Sequence, residues 1–397
     1  MFAPYRRLFS AKGSVGFTLT GFLARLALSM SGVGTVVMVA AMRHSYALAG
    51  AVGGSSLAAT LVTIPLLGRL ADRYGQSRTA VPAAIWSAAM SAALVGCLAT
   101  GAPAWTLFVT NVLSATAPNV GGMARARWAE LYGDDDARMH VANSFEQVLD
   151  ELCFVLGPVV VVGLATGIAP EAGRIAPLVL TLGGTVLFSL QRGTEPPVRP
   201  AGSSAARSPL TNRGLRVMML VLLFTGSLFG SLEVVTIAFT DSLHHRFAAG
   251  PVLALQAVGS ALAGLLFGTL TPRGSSTARF LTGVGGMAVL MLPLTLAGSL
   301  WSLVPLMFLA GMATSPTMIT GMTLTVTCLL GGSSLGSVLA GWSVERFDAG
   351  DGYLLPVGAA TLALLTAAAG LGRLRASVSA ARLPAPAGDT AELGQRA

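Results

Sequence analysis

Gly68-Arg-Leu-Ala-Asp72-Arg73-Tyr-Gly75-Gln-Ser-Arg78 is a short charged stretch set between two apolar runs, residues 47–68 and 79–99. Each run is long enough to cross a bilayer as a helix, which takes about 20 mostly apolar residues. Gly68 and Gly75 permit a tight reversal that residues with a Cβ resist. Asp72 is placed to cap the following helix or to pair with Arg73 and Arg78. Arginines gathered between two spans also anchor such a turn on the cytoplasmic side. The stretch therefore predicts a helical hairpin that enters and leaves the membrane.

The rest of the chain has the same character. It is 53% hydrophobic and 11% charged, with a mean hydropathy of +0.71. Soluble domains carry about 25% charged residues, so the composition predicts an integral membrane protein without a separate soluble domain. A net charge of +8 in a soluble chain would point to nucleic acid. Here most Lys and Arg fall in the segments expected on the cytoplasmic side, which is the positive-inside bias and needs no polyanionic partner. Lys12 is the only lysine, an arginine preference expected of a GC-rich bacterial genome. Cys97, Cys153 and Cys328 lie in separate apolar runs and read as small hydrophobes rather than as a disulfide frame or metal cluster. Arg6, Arg7 and Lys12 precede an apolar run from 15 to 41 that exceeds a signal-peptide core, so the run reads as an uncleaved first helix.

Apolar spans are expected at about 15–41, 47–68, 79–99, 104–124, 143–166 and 174–191, and again at 215–239, 249–270, 280–298, 301–320, 323–343 and 353–372. Between the two sets, residues 192–214 hold Pro196, Pro197, Pro200 and Pro209 with Arg199, Arg207 and Arg213, the composition of a cytoplasmic linker. Residues 377–397 read as a disordered tail. The halves echo each other at one offset of 200: Ala49-Gly50 recurs as Ala249-Gly250, Gly68 as Gly268, Leu70 as Leu270 and Arg73 as Arg273. Pro272 stands where Asp72 stands in the first copy, so the second charged turn is eroded. Residues 280–344 hold no charged residue. Three short-turned spans fit there better than two, which would put the basic C-terminal segment outside.

The stretch at 68–78 resembles the loop between helices 2 and 3 of the major facilitator superfamily (MFS) of transporters. That loop reads roughly G-x-L-x-D-R-x-G-x-x-R, and Gly68, Leu70, Asp72, Arg73, Gly75 and Arg78 meet every fixed position. The resemblance implies an all-α integral membrane fold of 12 transmembrane helices in two six-helix domains, 1–191 and 215–376, with both termini cytoplasmic. The domains would rock about a central cavity. Asp72 and Arg73 would then brace one closed state, with a simple helix cap as the plainer reading of Asp72. Gly157-Pro158 in the fifth span is similar to a fragment of the superfamily's antiporter motif, without its upstream glycines or paired glycines. The charged loop usual between helices 10 and 11 is missing, and so is the arginine motif of proton-coupled drug exporters near helix 4, where Thr110 and Asn111 stand.

Ionisable side chains inside spans cost at least ~2.5–3.5 kcal/mol each, so each needs a reason. Arg25 lies about ten residues into the first span, roughly 15 Å deep. In the fifth span Glu146 and Asp150 are spaced i,i+4 and share a face, with Glu151 beside them. Asp150 lies at roughly 12 Å, a depth that predicts a pair between Arg25 and Asp150 or Glu151. Arg125 and Arg127 end the fourth span within reach of Glu146. These residues read either as structural ion pairs or as a proton-binding site. Glu233 in the seventh span has no charged neighbour in sequence and is a candidate for binding a cationic substrate or a proton. Asn111 and Gln256 are secondary candidates, with packing hydrogen bonds the plainer reading.

Other motifs carry no chemistry. Gly332-Ser-Ser-Leu-Gly336 fits G-x-S-x-G but lies in an apolar helix, so Gly332 and Gly336 read as a helix-packing pair, as does Gly157 with Pro158. His244-His245 lacks the ligand set of a metal site, so no metal is expected. A phosphate loop is impossible because Lys12 follows Ala11. No cofactor and no enzymatic activity are expected. The expectation is a multi-pass monomer of the bacterial cytoplasmic membrane that moves a small organic molecule, with protons as coupling ion and export as direction. Its partners would be the lipid bilayer, the substrate and protons, with no nucleic acid. The alternatives are transport of a polar metabolite, such as a sugar or amino acid, and a transport-inactive scaffold or sensor.

Overall fold

A computed structural model describes residues 3–198, 213–269, 276–319 and 325–373. The described residues form α-helices joined by short turns: α1 (Ala3–Leu8), α2 (Ser14–Arg43), α3 (Tyr46–Tyr74), α4 (Gln76–Ala99), α5 (Ala104–Ser114), α6 (Val120–Tyr132), α7 (Asp136–Gly167) and α8 (Ala172–Leu190) come first. From residue 213 come α9 (Arg213–Ser242), α10 (Ala249–Thr269), α11 (Ser276–Met291), α12 (Leu300–Ile319), α13 (Thr325–Arg346) and α14 (Leu354–Ala369). Eight of these helices, α2, α3, α4, α7, α8, α9, α10 and α14, are long and apolar enough to cross a membrane, and three shorter apolar helices accompany them. The chain is thus a multi-pass, all-helical membrane protein. Leu270, Pro272 and Arg273 of the second charged turn, and the tail from residue 374, lie outside the described residues.

Two expectations about local structure are corrected. The reversal does not occupy 68–78: α3 runs on to Tyr74, α4 begins at Gln76, and Gly75 alone turns the chain, at φ +95°. That left-handed backbone is the reason for a glycine at 75. Gly68 is an ordinary helical position with open space around it. The expected fourth span, 104–124, is also not one helix. It breaks after Ser114 and restarts at Val120. Pro118 lacks the N–H that a continuous helix would use, and Asn119 caps the new start by accepting from the Gly122 N–H at 3.1 Å. The carbonyls freed by the break find hydroxyls, Ser87 Oγ donating to Ser114 O at 2.6 Å and Thr63 Oγ1 to Ala115 O at 2.7 Å. At membrane depth such carbonyls need partners, and neighbouring helices supply them.

α2 packs on α8, α7 and α3, while α9 packs on α13 and α14. The two groups of helices meet chiefly where α3 lies along α13 and α7 along α10. Gly332 and Gly336 let α13 press on α9, since a Cβ at either would strike Leu223 O or Ser227 O. Gly157 does the same for α7 on α2, against Ser29. Small residues of this kind stand in for a hydrophobic driving force that lipid does not provide. Replacing Gly336 by Val should therefore destabilise the chain by about 1–3 kcal/mol. A melting curve in detergent, with Gly163→Val as the control in open space, checks this.

Candidate functional site

The i,i+4 acids of α7 bring a cation to them from α2. Arg25 is 6% exposed and pairs through Nη2 with Glu146, which is fully buried, and through Nη1 with Asp150 at 3.3 Å. Arg125 of α6 completes the row by pairing with the other oxygen of Asp150 at 2.5 Å. Trp128, one turn further along α6, donates its indole N–H to Glu146 Oε1 at 2.6 Å. Two cations thus face two anions across three helices. Beneath them Trp128 packs with Phe9, Phe17 and Tyr132, ring to ring at 4.7–6.0 Å, which keeps water from the buried end.

The pairing differs in detail from the expected one. Arg25 meets Glu146 as well as Asp150, and Glu151 takes no part: it turns away and accepts from Gln147 at 3.1 Å. The residue after Asp150 is rotated 100° around a helix, so it leaves the face that the i,i+4 acids share. Arg127 does not reach Glu146. Fully buried, it donates through Nε to Gln76 Oε1 at 3.1 Å and through Nη1 to Gln191 O at 3.0 Å and Thr194 Oγ1 at 2.9 Å. Its guanidinium lies 3.8 Å from the Phe188 ring centroid, a cation–π contact that offsets part of its desolvation. This arginine ties α6 to the start of α4 and the end of α8.

Asp72 does not cap α4. Asp72, Arg73 and Arg78 are exposed, and Asp72 makes no hydrogen bond or ion pair among the described residues. The carboxylate at the α4 N-terminus is Glu195, which accepts from Ser77 N–H at 2.8 Å and lies 2.6 Å from the Ser77 hydroxyl. An anion there complements the helix dipole. No local pattern connects residues 77 and 195, so only the tertiary contact reveals the cap.

Arg174 also escaped the sequence reading, because it opens an expected span rather than interrupting one. α2, α4 and α5 bury it, and it donates to Thr35 Oγ1 at 3.0 Å, Ser91 Oγ at 3.1 Å, Ser114 Oγ at 2.7 Å and Ser31 O at 3.3 Å. It has no carboxylate partner among the described residues. Its place at the C-terminal end of α5, where a helix dipole is negative, supplies part of the missing counter-charge.

Of the secondary candidates, Asn111 is fully buried and donates to Val52 O at 2.6 Å, tying α5 to α3. Gln256 is half-buried where α10 crosses α12 at Gly311. Glu233 lies on α9 opposite Gly32 of α2, its Oε1 3.3 Å from where a Cβ on Gly32 would stand. It has no ion pair or hydrogen bond among the described residues.

Hydrogen bonds join the two groups of helices at the end opposite Gly75. Tyr46 donates to Asp241 Oδ2 at 2.6 Å, and Arg246 also pairs with Asp241. Ser45 Oγ and Ala47 N–H donate to Glu345 Oε1 at 2.5 and 3.0 Å. No group of His, Cys, Asp and Glu among the described residues is arranged to hold a metal ion.

Breaking a buried ion pair costs about 3–5 kcal/mol, whereas a half-exposed partner contributes much less. Glu146→Ala should therefore lower the melting temperature in detergent far more than Arg125→Ala, whose side chain is 39% exposed. Equal effects would show that Glu146 is not the anchor of the cluster.

Comparison with known proteins places this geometry. The chain superposes on the nucleoside transporter NupG in a mutant form with a TM-score of 0.69 at 16% identity, covering 91% of this chain and 99% of that one. A bacterial homologue of the iron transporter ferroportin in an inward-facing state gives 0.67 at 14% identity, over 90% and 98%. A structure from work on substrate recognition in proton dependent oligopeptide transporters gives 0.66 at 13% identity, over 92% and 99%. At such identities the likeness is one of fold. Comparison with curated protein sequences returned no significant match. The sequence profile of the Major Facilitator Superfamily matches residues 17–343. The chain, a membrane protein built as transporters are built, belongs to the Major Facilitator Superfamily.

Proposed function

We propose that this chain is a secondary active transporter that carries a small organic molecule across the cytoplasmic membrane by alternating access, coupled to protons and directed outward. In this reading 12 helices cross the bilayer in two domains, 1–191 and 215–376, joined by the linker at 192–214, with both termini cytoplasmic and the chain acting as a monomer. The observation that carries the proposal is the distribution of bonds between the helix groups. Side-chain hydrogen bonds close the end at Tyr46, Asp241 and Glu345, while the charged residues Asp72, Arg73 and Arg78 stand exposed at the other. A contact made in one state and absent in the other is what biases a two-state equilibrium. The described arrangement then corresponds to the inward-open state, and Asp72 and Arg73 engage when that end closes.

Asp150 is the proposed proton site. It is shared between Arg25 and Arg125 and is 25% exposed, while Glu146 is sealed. Protonating Asp150 would release Arg125 and remove one of the two carboxylates on Arg25, whereas the Arg25–Glu146 pair persists as the fixed half of the cluster. Nucleosides and oligopeptides, named for the compared transporters, keep the alternative of a polar metabolite open to test. A transport-inactive scaffold is the remaining alternative.

Counterflow of labelled compounds in proteoliposomes separates transport from a scaffold role. With an imposed pH gradient, Asp150→Asn should lose gradient-driven accumulation by about 100-fold, as an essential acid–base group does, while retaining counterflow. Undiminished gradient-driven transport by the folded variant would remove Asp150 from the coupling role. Asp72→Asn should shift distances measured by paired spin labels across the Gly75 end toward the open state, and unchanged populations would count against its bracing role.

A further inference from the structure

We propose that Glu233 is the substrate-recognition group and that the substrate is a lipophilic organic cation. This rests on the transporter reading above and specifies what the site takes. Glu233 is a carboxylate inside the helix bundle with no ion pair or hydrogen bond among the described residues. Arg25 is ~10 Å away along α2, seven residues from Gly32, and it is already held by Glu146 and Asp150. Asp241, ~12 Å further along α9, is taken by Tyr46 and Arg246. On α13, Glu345 accepts from Ser45 and Ala47, and Arg346 stacks on Trp342, 4.7 Å from its ring centroid.

The surroundings favour a ligand over a structural partner. Glu233 remains partly accessible although Leu232 and Val234 beside it are core residues. Opposite it stands Gly32, where a Cβ would come within 3.3 Å of the carboxylate, so the glycine leaves that room to Glu233. Glu233 also lies where α2 and α9 cross, between the two helix groups, so a bound cation would touch both. An ionised carboxylate without a partner in such a place is costly. A cation that arrives with its own apolar flanks supplies the missing charge and tolerates the apolar walls. A zwitterion or an anion would bring a second charge for which no free partner stands nearby among the described residues.

The experiment is equilibrium dialysis of radiolabelled tetraphenylphosphonium, a permanent cation without a proton to exchange, against the full chain in detergent. The wild-type chain should bind it saturably. E233Q should raise Kd at least about tenfold, the loss that follows truncation of one partner in a desolvated charge pair. E233D, which keeps the charge, should stay within about threefold, and Asp134→Asn, at an exposed turn outside the bundle, should bind as the wild type does. Melting curves establish that each variant is folded, and E233D keeps the test open should E233Q misfold. Undiminished binding by folded E233Q would overturn the proposal, and so would the absence of saturable binding by the wild type. Binding without counterflow in proteoliposomes would instead remove the transport reading and leave the cation site standing.

Discussion

A guanidinium held at membrane depth between Glu146 and Asp150 is the constraint around which the first group of helices is arranged. Neither the cation on α2 nor the anions on α7 could remain there alone, because an isolated charge in a medium of low dielectric constant costs several kcal/mol. Together they require α2, α6 and α7 to meet at one level, and Trp128 fixes the rotation of α6 by donating to the buried acid. The aromatic residues packed under Trp128 keep the dielectric low, which strengthens the pair and raises the cost of disrupting it.

Arginine is used differently elsewhere in the same half. Among the described residues Arg127 and Arg174 are buried without an ion pair to a carboxylate, and they are solvated by amide, carbonyl and hydroxyl oxygens. A planar guanidinium with five donors can bind several helices at once, which a lysine ammonium does less well. Arg174 sits beside the break between α5 and α6, so the residue that looks costliest also accompanies the freed end of a helix. The two arginine clamps, the broken helix and the Glu195 cap make the first half a braced unit. The cross-group bonds at Tyr46 and Glu345, by contrast, are a few side-chain contacts at one end.

Much of this was legible without coordinates, for reasons that can be named. Long apolar runs report spans directly, so the bounds of α2, α4 and α7 lie within several residues of those read from composition. The i,i+4 spacing of Glu146 and Asp150 required a shared face, and equal depth on α2 pointed to Arg25 as the partner. Glu151 was assigned to the cluster by adjacency, and a helix sends adjacent residues in different directions. The break at 115–119 was underestimated because Pro118 and Asn119 sit inside an otherwise apolar run, and hydropathy averages over them. Asn111 was correctly recognised as a polar residue within a span, but its engagement with Val52 depends on how closely α3 approaches α5.

The sequence by itself determined that the chain lies in a membrane, that several of its segments are long and apolar enough to cross it, and which charges needed a partner there. Those properties follow from hydrophobic length and from the cost of burying charge, and both are local. Tertiary structure alone decided who partners whom: Arg174 with hydroxyls from three other helices, Ser77 with Glu195 118 residues away, and Glu233 with no ion pair or hydrogen bond among the described residues. Such pairings depend on distances between helices that are remote in sequence, and a one-dimensional pattern does not carry them.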